Sequence, residues 1–104
     1  MNKKALLGVF EYTIYFQPMD GDDHGSTSLD NKTIFIDSTR AKQCQRETLF
    51  HELQHVALED CASLRLDYAS ADDREEDIIR FQSPRLLLFL RSNKWIRDFI
   101  FGGK

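Results

Sequence analysis

The chain has 104 residues, of which 41% are hydrophobic, and this length and composition fit one small globular domain spanning residues 1–104. It carries 14 Lys and Arg residues against 17 Asp and Glu residues, and the two signs are interspersed in a net charge of −3. Such a pattern gives no broad cationic surface, so nucleic acid is not an expected partner.

No stretch of the sequence approaches the roughly 18 consecutive apolar residues of a membrane-spanning helix. The apolar run from Ala5 ends before Glu11, which is shorter than the roughly 7 to 15 residues of a secretory signal, and no small-residue cleavage site follows. We therefore expect a cytoplasmic protein without a membrane partner. Its two cysteines, Cys44 and Cys61, lack the spacing of a zinc ribbon or a redox motif and are expected to be reduced, partly buried thiols.

Two β-strands are predicted in the first third of the chain. Residues 9–16 are dense in β-branched and aromatic types, and their imperfect alternation fits a strand that is partly covered on both faces. A loop rich in Gly, Asp and Ser follows over residues 19–26. Residues 32–37 form the second strand, and residues 26–29 are expected to pair with it as a hairpin across Asp30 and Asn31.

Three helices are predicted in the remainder of the chain. The central helix covers residues 41–59, which lack Gly and Pro, and the segment from Asp37 to Thr39 is able to cap it. A connection over residues 60–70 leads to an acidic helix start at Asp72, a bend near Pro84 and a stop at Asn93. Residues 95–101 form a last short helix that covers the core, and a docking surface for a partner is the alternative use of its apolar side chains.

The central helix contains the sequence His51-Glu52-Leu53-Gln54-His55, an H-E-x-x-H motif. Two imidazoles four residues apart project from one helix face and are able to bind one metal ion, for which zinc is the expected element. Glu52 lies next to the first of them, where its carboxylate is suited to take a proton from a metal-bound water and to pass it to a leaving amine. The uncharged residues around the motif indicate a largely buried helix and disfavour the alternative of two surface histidines.

A catalytic zinc needs a third protein ligand and one open position for water. The acidic start of the following helix offers Glu75, which precedes Ile78 and Ile79 by three and four residues and is expected to share their inward face. Glu76 is the second choice, and capping of the helix is the alternative role for these acidic residues. His24, in the loop over residues 19–26, is a further possible ligand, although a loop histidine is more often solvated.

These features resemble the small ImmA/IrrE-type metallopeptidases, compact versions of which are common in phage and prophage genomes. The resemblance covers residues 31–101 and depends on the predicted strand over residues 33–37, the H-E-x-x-H helix, and the Glu75-Glu76 pair before a leucine-rich helix. It implies an α+β, zincin-like domain in which a small sheet packs on the active-site helix and the next helix supplies a glutamate ligand. It further implies that His51, His55 and Glu75 bind zinc and that Glu52 is the general base.

The sequence therefore predicts a gluzincin-like zinc metallopeptidase that hydrolyses a peptide bond in a flexible protein segment, in this family sometimes part of a repressor. We expect that segment to add as a strand to an exposed sheet edge beside the metal. Two alternatives stay open. One is a non-catalytic, metal-binding interaction module of the same fold that docks a partner through its apolar tail. The other is a structural zinc site in which His24 or Cys61 completes the coordination.

Overall fold

A computed structural model of the chain describes the backbone of residues 1–59 and 71–102, and their side chains except those of residues 59, 71–75 and 77. The strands are β1 (Asn2–Leu7), β2 (Phe10–Gln17), β3 (Gly25–Ser28) and β4 (Thr33–Asp37). The helices are α1 (Lys42–Glu59), α2 (Ala71–Ser92) and α3 (Lys94–Phe101). The strand order in the sheet is β1-β2-β4-β3, so β1 and β3 are its two edges. The predicted α+β fold, with a small sheet packed on the helix that carries the motif, is confirmed.

The first two strands form an antiparallel hairpin of which only the second strand was predicted. Its loop consists of Gly8 and Val9, and Gly8 has a φ of +74°, a conformation that glycine adopts without steric cost. In β1 only Ala5 and Leu7 are buried. This short alternation explains why the strand did not stand out from the apolar run at the start of the sequence.

The last two strands confirm the predicted hairpin over residues 26–37. β3 runs antiparallel to β4, with Ser26 opposite Phe35 and Thr27 opposite Ile34. β4 also pairs in parallel with β2, so the sheet is mixed and β4 lies inside it. Among the described residues, β3 therefore pairs with a strand on one side only.

The helices cover one face of the sheet, and the hydrophobic core lies between the two layers. Alternate residues of the strands point into this face, as the two-residue period of a strand requires. The core side chains of α1 lie three and four residues apart, which places them on one side of the helix. Among the described residues, the buried hydrophobic side chains are Ala5, Leu7, Tyr12, Ile14, Phe16, Ile34, Ile36, Leu49, Leu53, Val56, Ala57, Phe89 and Ile96.

The three predicted helices are present, and one detail of their capping was wrong. α2 continues through Pro84 and ends at Ser92, directly before the predicted stop. Asp37 does not cap α1, because its Oδ1 atom accepts hydrogen bonds from the backbone N–H (3.0 Å) and the hydroxyl (2.7 Å) of Thr39 and so closes the turn before the helix. The predicted connection over residues 60–70 lies outside the described residues. None of the helices, over the part that the structure describes, is long and apolar enough to cross a membrane.

The outer edge of β1 is covered by polar side chains from the junction between α2 and α3. The side-chain amide of Asn93 accepts a hydrogen bond from the backbone N–H of Leu6 (2.8 Å) and donates one to its carbonyl (2.7 Å), as a neighbouring strand would. The indole of Trp95 donates to the carbonyl of Lys4 at 2.8 Å. An extended peptide therefore cannot add to β1, whereas no strand among the described residues pairs with the outer side of β3.

We expect Asn93→Ala to lower the free energy of unfolding by about 1–3 kcal/mol, because it removes the side-chain partner of partly buried backbone groups of Leu6 and of the buried carbonyl of Phe89. Asn93 is 6% exposed, and its amide also donates to the carbonyl of Phe89 at 2.8 Å. Lys94→Ala is the matched control, since in the described part of the chain the Lys94 side chain forms only an exposed ion pair with Asp98. Urea unfolding measures both variants, and equal stability of the two would contradict this role of Asn93.

A second prediction concerns the acid stability conferred by Asp37, which is 2% exposed. The hydrogen bond from the Thr39 hydroxyl holds the pKa of the Asp37 carboxyl below its ordinary value of 3.8. A carboxyl group whose pKa is lower in the folded chain than in the unfolded chain stabilises the fold at pH values above its pKa in the unfolded chain. This contribution to stability is lost as the pH falls through the pKa of the group in the folded chain. We therefore expect Asp37→Asn to be less stable than the native chain at pH 7 and the difference to shrink below about pH 4. A difference that stays constant in unfolding curves from pH 7 to pH 3 would exclude this explanation.

Candidate functional site

Helix α1 places a buried carboxylate directly beside two exposed imidazoles. Glu52 is 5% exposed, whereas His51 and His55 are exposed. Glu52 belongs to a row of buried α1 side chains that recur three and four residues apart, which is the spacing of one helix face. That row consists of Gln45, Thr48, Leu49, Glu52, Leu53, Val56 and Ala57. The helical period thus directs one residue of the motif toward the sheet and leaves its two histidines at the border of the buried face.

The two histidines of the motif are brought together as predicted. Their Nε2 atoms face each other at 3.1 Å, and the ring centroids are 4.8 Å apart. Two nitrogens that bind one tetrahedral zinc ion at 2.0–2.1 Å lie about 3.3 Å apart, so this pair fits a shared metal ion. Among the side chains that the structure describes, no third His, Cys, Asp or Glu joins the pair in a group able to hold a metal.

The predicted third ligand, Glu75, belongs to α2, but its side chain lies outside the described residues. Its role as a metal ligand therefore stays a prediction. The side chain of Glu76 is exposed. The inward face expected for this part of α2 was wrong in one respect, because Ile79 is 50% exposed and only Ile78 is half-buried. At residues 78 and 79 of α2, the buried face is thus narrower than the spacing of the two isoleucines indicated.

The edge strand β3 closely approaches α1 beside Glu52. A Cβ atom at Gly25 would lie 2.5 Å from Thr48 Cγ2 and 2.8 Å from the carbonyl oxygen of Phe35, so only glycine fits there without a shift of the neighbouring elements. The same position is 3.5 Å from Glu52 Oε2. Two residues further along β3, the hydroxyl of Thr27 donates a hydrogen bond to Glu52 Oε1 at 2.5 Å. β3 therefore forms the wall against which the buried carboxylate is held.

Two cavities between β3 and α1 border the motif, and together they are here called the β3–α1 cleft. Their volumes are about 500 Å³ and about 360 Å³, and Gly25, His51 and Glu52 line both of them. The larger cavity extends toward His24 and the start of α1, and the smaller one extends along β3 to Leu29. His51 and the buried carboxylate of Glu52 thus border both cavities, and His55 borders the smaller one.

His24 contacts a cysteine rather than the histidine pair. Its Nδ1 atom lies 3.4 Å from Cys44 Sγ, and Cys44 precedes His51 by two helical turns, roughly 10 Å along the axis. Cys44 is a free, half-buried thiol, as predicted. The alternative of a structural zinc site completed by His24 is therefore not favoured by the structure. Cys61, the other candidate for such a site, lies outside the described residues.

Sequence analysis missed two residues of the site, Gly25 and Thr27. Both belong to a Gly- and Ser-rich segment that was assigned to a loop and a possible strand, and nothing in its composition indicates contact with α1. The burial of Glu52, by contrast, has a signal in the sequence. Glu52 follows Leu49 by three residues and precedes Val56 by four, which places it on the apolar side of the helix.

Comparison with protein-family models shows that residues 7–88 match the IrrE N-terminal-like domain, a domain of peptidases. The matched segment contains β2 to β4, all of α1 and most of α2, and so includes the motif and Glu75. Comparisons with curated proteins and with solved structures find no significant match.

The metal content of variants tests the site directly. We expect the protein, purified without a metal-binding tag and dialysed after addition of zinc, to contain about one zinc ion per chain by elemental analysis. His51→Ala and His55→Ala should each remove the metal, because each change deletes one of the two facing nitrogens. Glu75→Ala should also reduce the zinc content, with Glu76→Ala as the matched control that retains it. Native zinc content in the His51→Ala variant would show that the metal binds elsewhere.

Proposed function

Because the chain belongs to the IrrE N-terminal-like domain family of peptidases, we propose that it is a zinc-dependent metallopeptidase that hydrolyses a peptide bond in a protein substrate. The observation that carries this proposal is the pair of Nε2 atoms of His51 and His55, 3.1 Å apart. The buried carboxylate of Glu52, adjacent to His51 in the motif, adds the group that amide hydrolysis requires. Glu75 is the proposed third zinc ligand.

In this proposal the chain's own residues hold the metal and move the protons. His51, His55 and Glu75 would hold the zinc ion, which would supply polarisation of the peptide carbonyl and a water of lowered pKa. Glu52 acts as the general base, so its carboxylate accepts the proton of the attacking water and then donates it to the leaving amine. Glu52 lines both cavities of the β3–α1 cleft, and a peptide that occupies the cleft therefore passes beside its carboxylate.

The sheet edges favour an extended peptide as the substrate. β3 borders the cleft, and an extended segment is able to pair with its outer side through backbone hydrogen bonds. Asn93 and Trp95 occupy the corresponding groups of β1, so the edge beside the motif is the better site for strand addition. A folded segment would first have to lose its own backbone pairing. We therefore propose a flexible or unfolded protein segment as the substrate, and the family resemblance adds a repressor protein as a candidate.

The proposed cellular setting is supported by the sequence alone. We propose that residues 1–104 act as one domain in the cytoplasm, without a nucleic-acid or membrane partner. The net charge of −3 supports the exclusion of nucleic acid, because phosphate binding depends on a cationic surface.

The alternative of a non-catalytic interaction module that docks through its apolar tail has less support. Ile96 of α3 is fully buried, and Trp95, Phe99 and Ile100 pack against the core. Phe101 is 70% exposed and is the large apolar side chain of α3 that remains accessible. Since most of the tail covers the core, little of it is left for a partner.

The substitution Glu52→Gln tests the proposal. Glutamine keeps the size of the side chain and an oxygen that is able to accept the hydrogen bond from Thr27, but it is not a base at neutral pH. We expect unchanged zinc content and thermal unfolding, together with a decrease in cleavage on the order of 10²- to 10⁴-fold. The assay uses the zinc-loaded protein and a random mixture of internally quenched peptides.

Glu47→Gln is the matched control for this test, because it neutralises an exposed carboxylate in the larger cavity of the same cleft. It should cleave the peptide mixture at nearly the native rate. Equal loss of cleavage in both variants would show that the rate depends on the total charge of the cleft and not on Glu52 as a specific base. Full cleavage by Glu52→Gln would remove Glu52 from the mechanism.

A further inference from the structure

We propose that Thr27 is a positioning residue for Glu52. The hydroxyl of Thr27 fixes one oxygen of the Glu52 carboxylate and so directs the other oxygen into the β3–α1 cleft. This inference rests on the proposed function, because positioning matters only if Glu52 is a base. It assigns a role to a residue of the edge strand that lies outside the H-E-x-x-H motif.

The contact that supports this role is short and joins two distant parts of the chain. The Thr27 hydroxyl donates to Glu52 Oε1 at 2.5 Å, which lies at the short end of the range for hydrogen bonds from a hydroxyl to a carboxylate. Thr27 is half-buried and Glu52 is 5% exposed, so water competes weakly for either group. A hydrogen bond that is shielded from water restrains a side chain more than a hydrogen bond that is exposed to water.

Glu52 depends on this hydroxyl because the described residues offer its carboxylate little else. Among the described residues, no Lys or Arg forms an ion pair with it. A carboxylate that is removed from water without a cation must be stabilised by hydrogen-bond donors. In the described part of the chain, Thr27 supplies the donor to Oε1.

The geometry also separates the roles of the two carboxylate oxygens. Oε2 lies beside Gly25, 3.5 Å from the position that a Cβ atom would occupy there, and Gly25 lines both cavities of the cleft. The terminal torsion of a glutamate side chain has broad energy wells, so an unrestrained carboxylate turns easily. The bond from Thr27 to Oε1 limits this rotation and leaves Oε2 to accept a proton. A base that is fixed in this way is already oriented before the substrate arrives.

A purely structural role is the alternative, in which the same hydrogen bond only fastens β3 to α1. The two roles differ in what the loss of the hydroxyl changes. If the hydrogen bond only holds β3 against α1, its loss lowers the stability of the protein and disturbs peptide binding along β3, and it therefore raises KM. Loss of a positioning contact lowers kcat and leaves KM and zinc content nearly unchanged.

The test compares variants of the zinc-loaded, full-length chain in the cleavage of one internally quenched peptide that the native protein cuts best in a random mixture. Thr27→Val removes the hydroxyl and keeps the branched shape, whereas Thr27→Ser keeps the hydroxyl. Thr13→Val is the matched control, since the Thr13 hydroxyl on β2 contacts only the exposed amine of Lys4 in the hydrogen bonds of the described chain. Thermal unfolding and elemental analysis verify that each variant is folded and contains zinc.

We expect Thr27→Val to lower kcat on the order of 10- to 100-fold with little change in KM. Thr27→Ser should retain kcat within a few-fold of the native value, and Thr13→Val should match the native chain. Combined with Glu52→Gln, Thr27→Val should cause no further loss, because the group that it positions is already inactive.

The possible outcomes separate this inference from the proposed function. Native kcat in Thr27→Val, alongside an inactive Glu52→Gln, would overturn the positioning role and leave the peptidase proposal intact. A loss that Thr27→Ser does not restore, or a loss confined to KM, would also overturn it. If the native chain cleaves the peptide mixture no faster than Glu52→Gln, both proposals fail together.

Discussion

A carboxylate that is nearly excluded from water has to be hydrogen-bonded where it lies, and the arrangement around Glu52 follows from that constraint. Helical spacing turns Glu52 toward the sheet, where the hydroxyl of Thr27 meets it. This contact requires β3 to lie very close to α1, which the absence of a side chain at Gly25 permits. The two histidines remain at the border of the same helix face, where their ring nitrogens are accessible. One buried charge thus links the edge strand to the helix that carries the motif.

The two edges of the sheet differ in whether other groups of the chain cover them. The β1 edge is sealed by the Asn93 amide and the Trp95 indole, which use hydrogen bonds that a further strand would otherwise make. The β3 edge has no strand beside it among the described residues, and it borders the cleft. Exposed strand edges are a hazard for aggregation, so an open edge beside the motif is consistent with the proposed pairing with a substrate segment.

Local patterns in the sequence predicted the elements whose signals are contained within a few residues. α1, with its motif, and the strands β2 and β4 were recognised because periodicity and residue type suffice for them. β1 was missed because its alternation involves only Ala5 and Leu7, and the exposure of Ile79 depends on how α2 packs. Gly25 and Thr27 act through contacts with residues of α1 more than 20 positions away, which no local pattern encodes. The ligand role of Glu75 stays a prediction, because its side chain lies outside the described residues and no local pattern decides whether it reaches the metal.

The length of β3 limits how strongly the proposed peptidase is able to bind a substrate segment. With four residues, the strand offers a ladder of about 13 Å, and only every second residue directs its backbone groups outward. So short a ladder supplies little affinity for any particular peptide. The rate of cleavage then depends mainly on how often a segment of the target protein becomes unpaired and extended. For such an enzyme, the conformational stability of the target is itself the main determinant of selectivity.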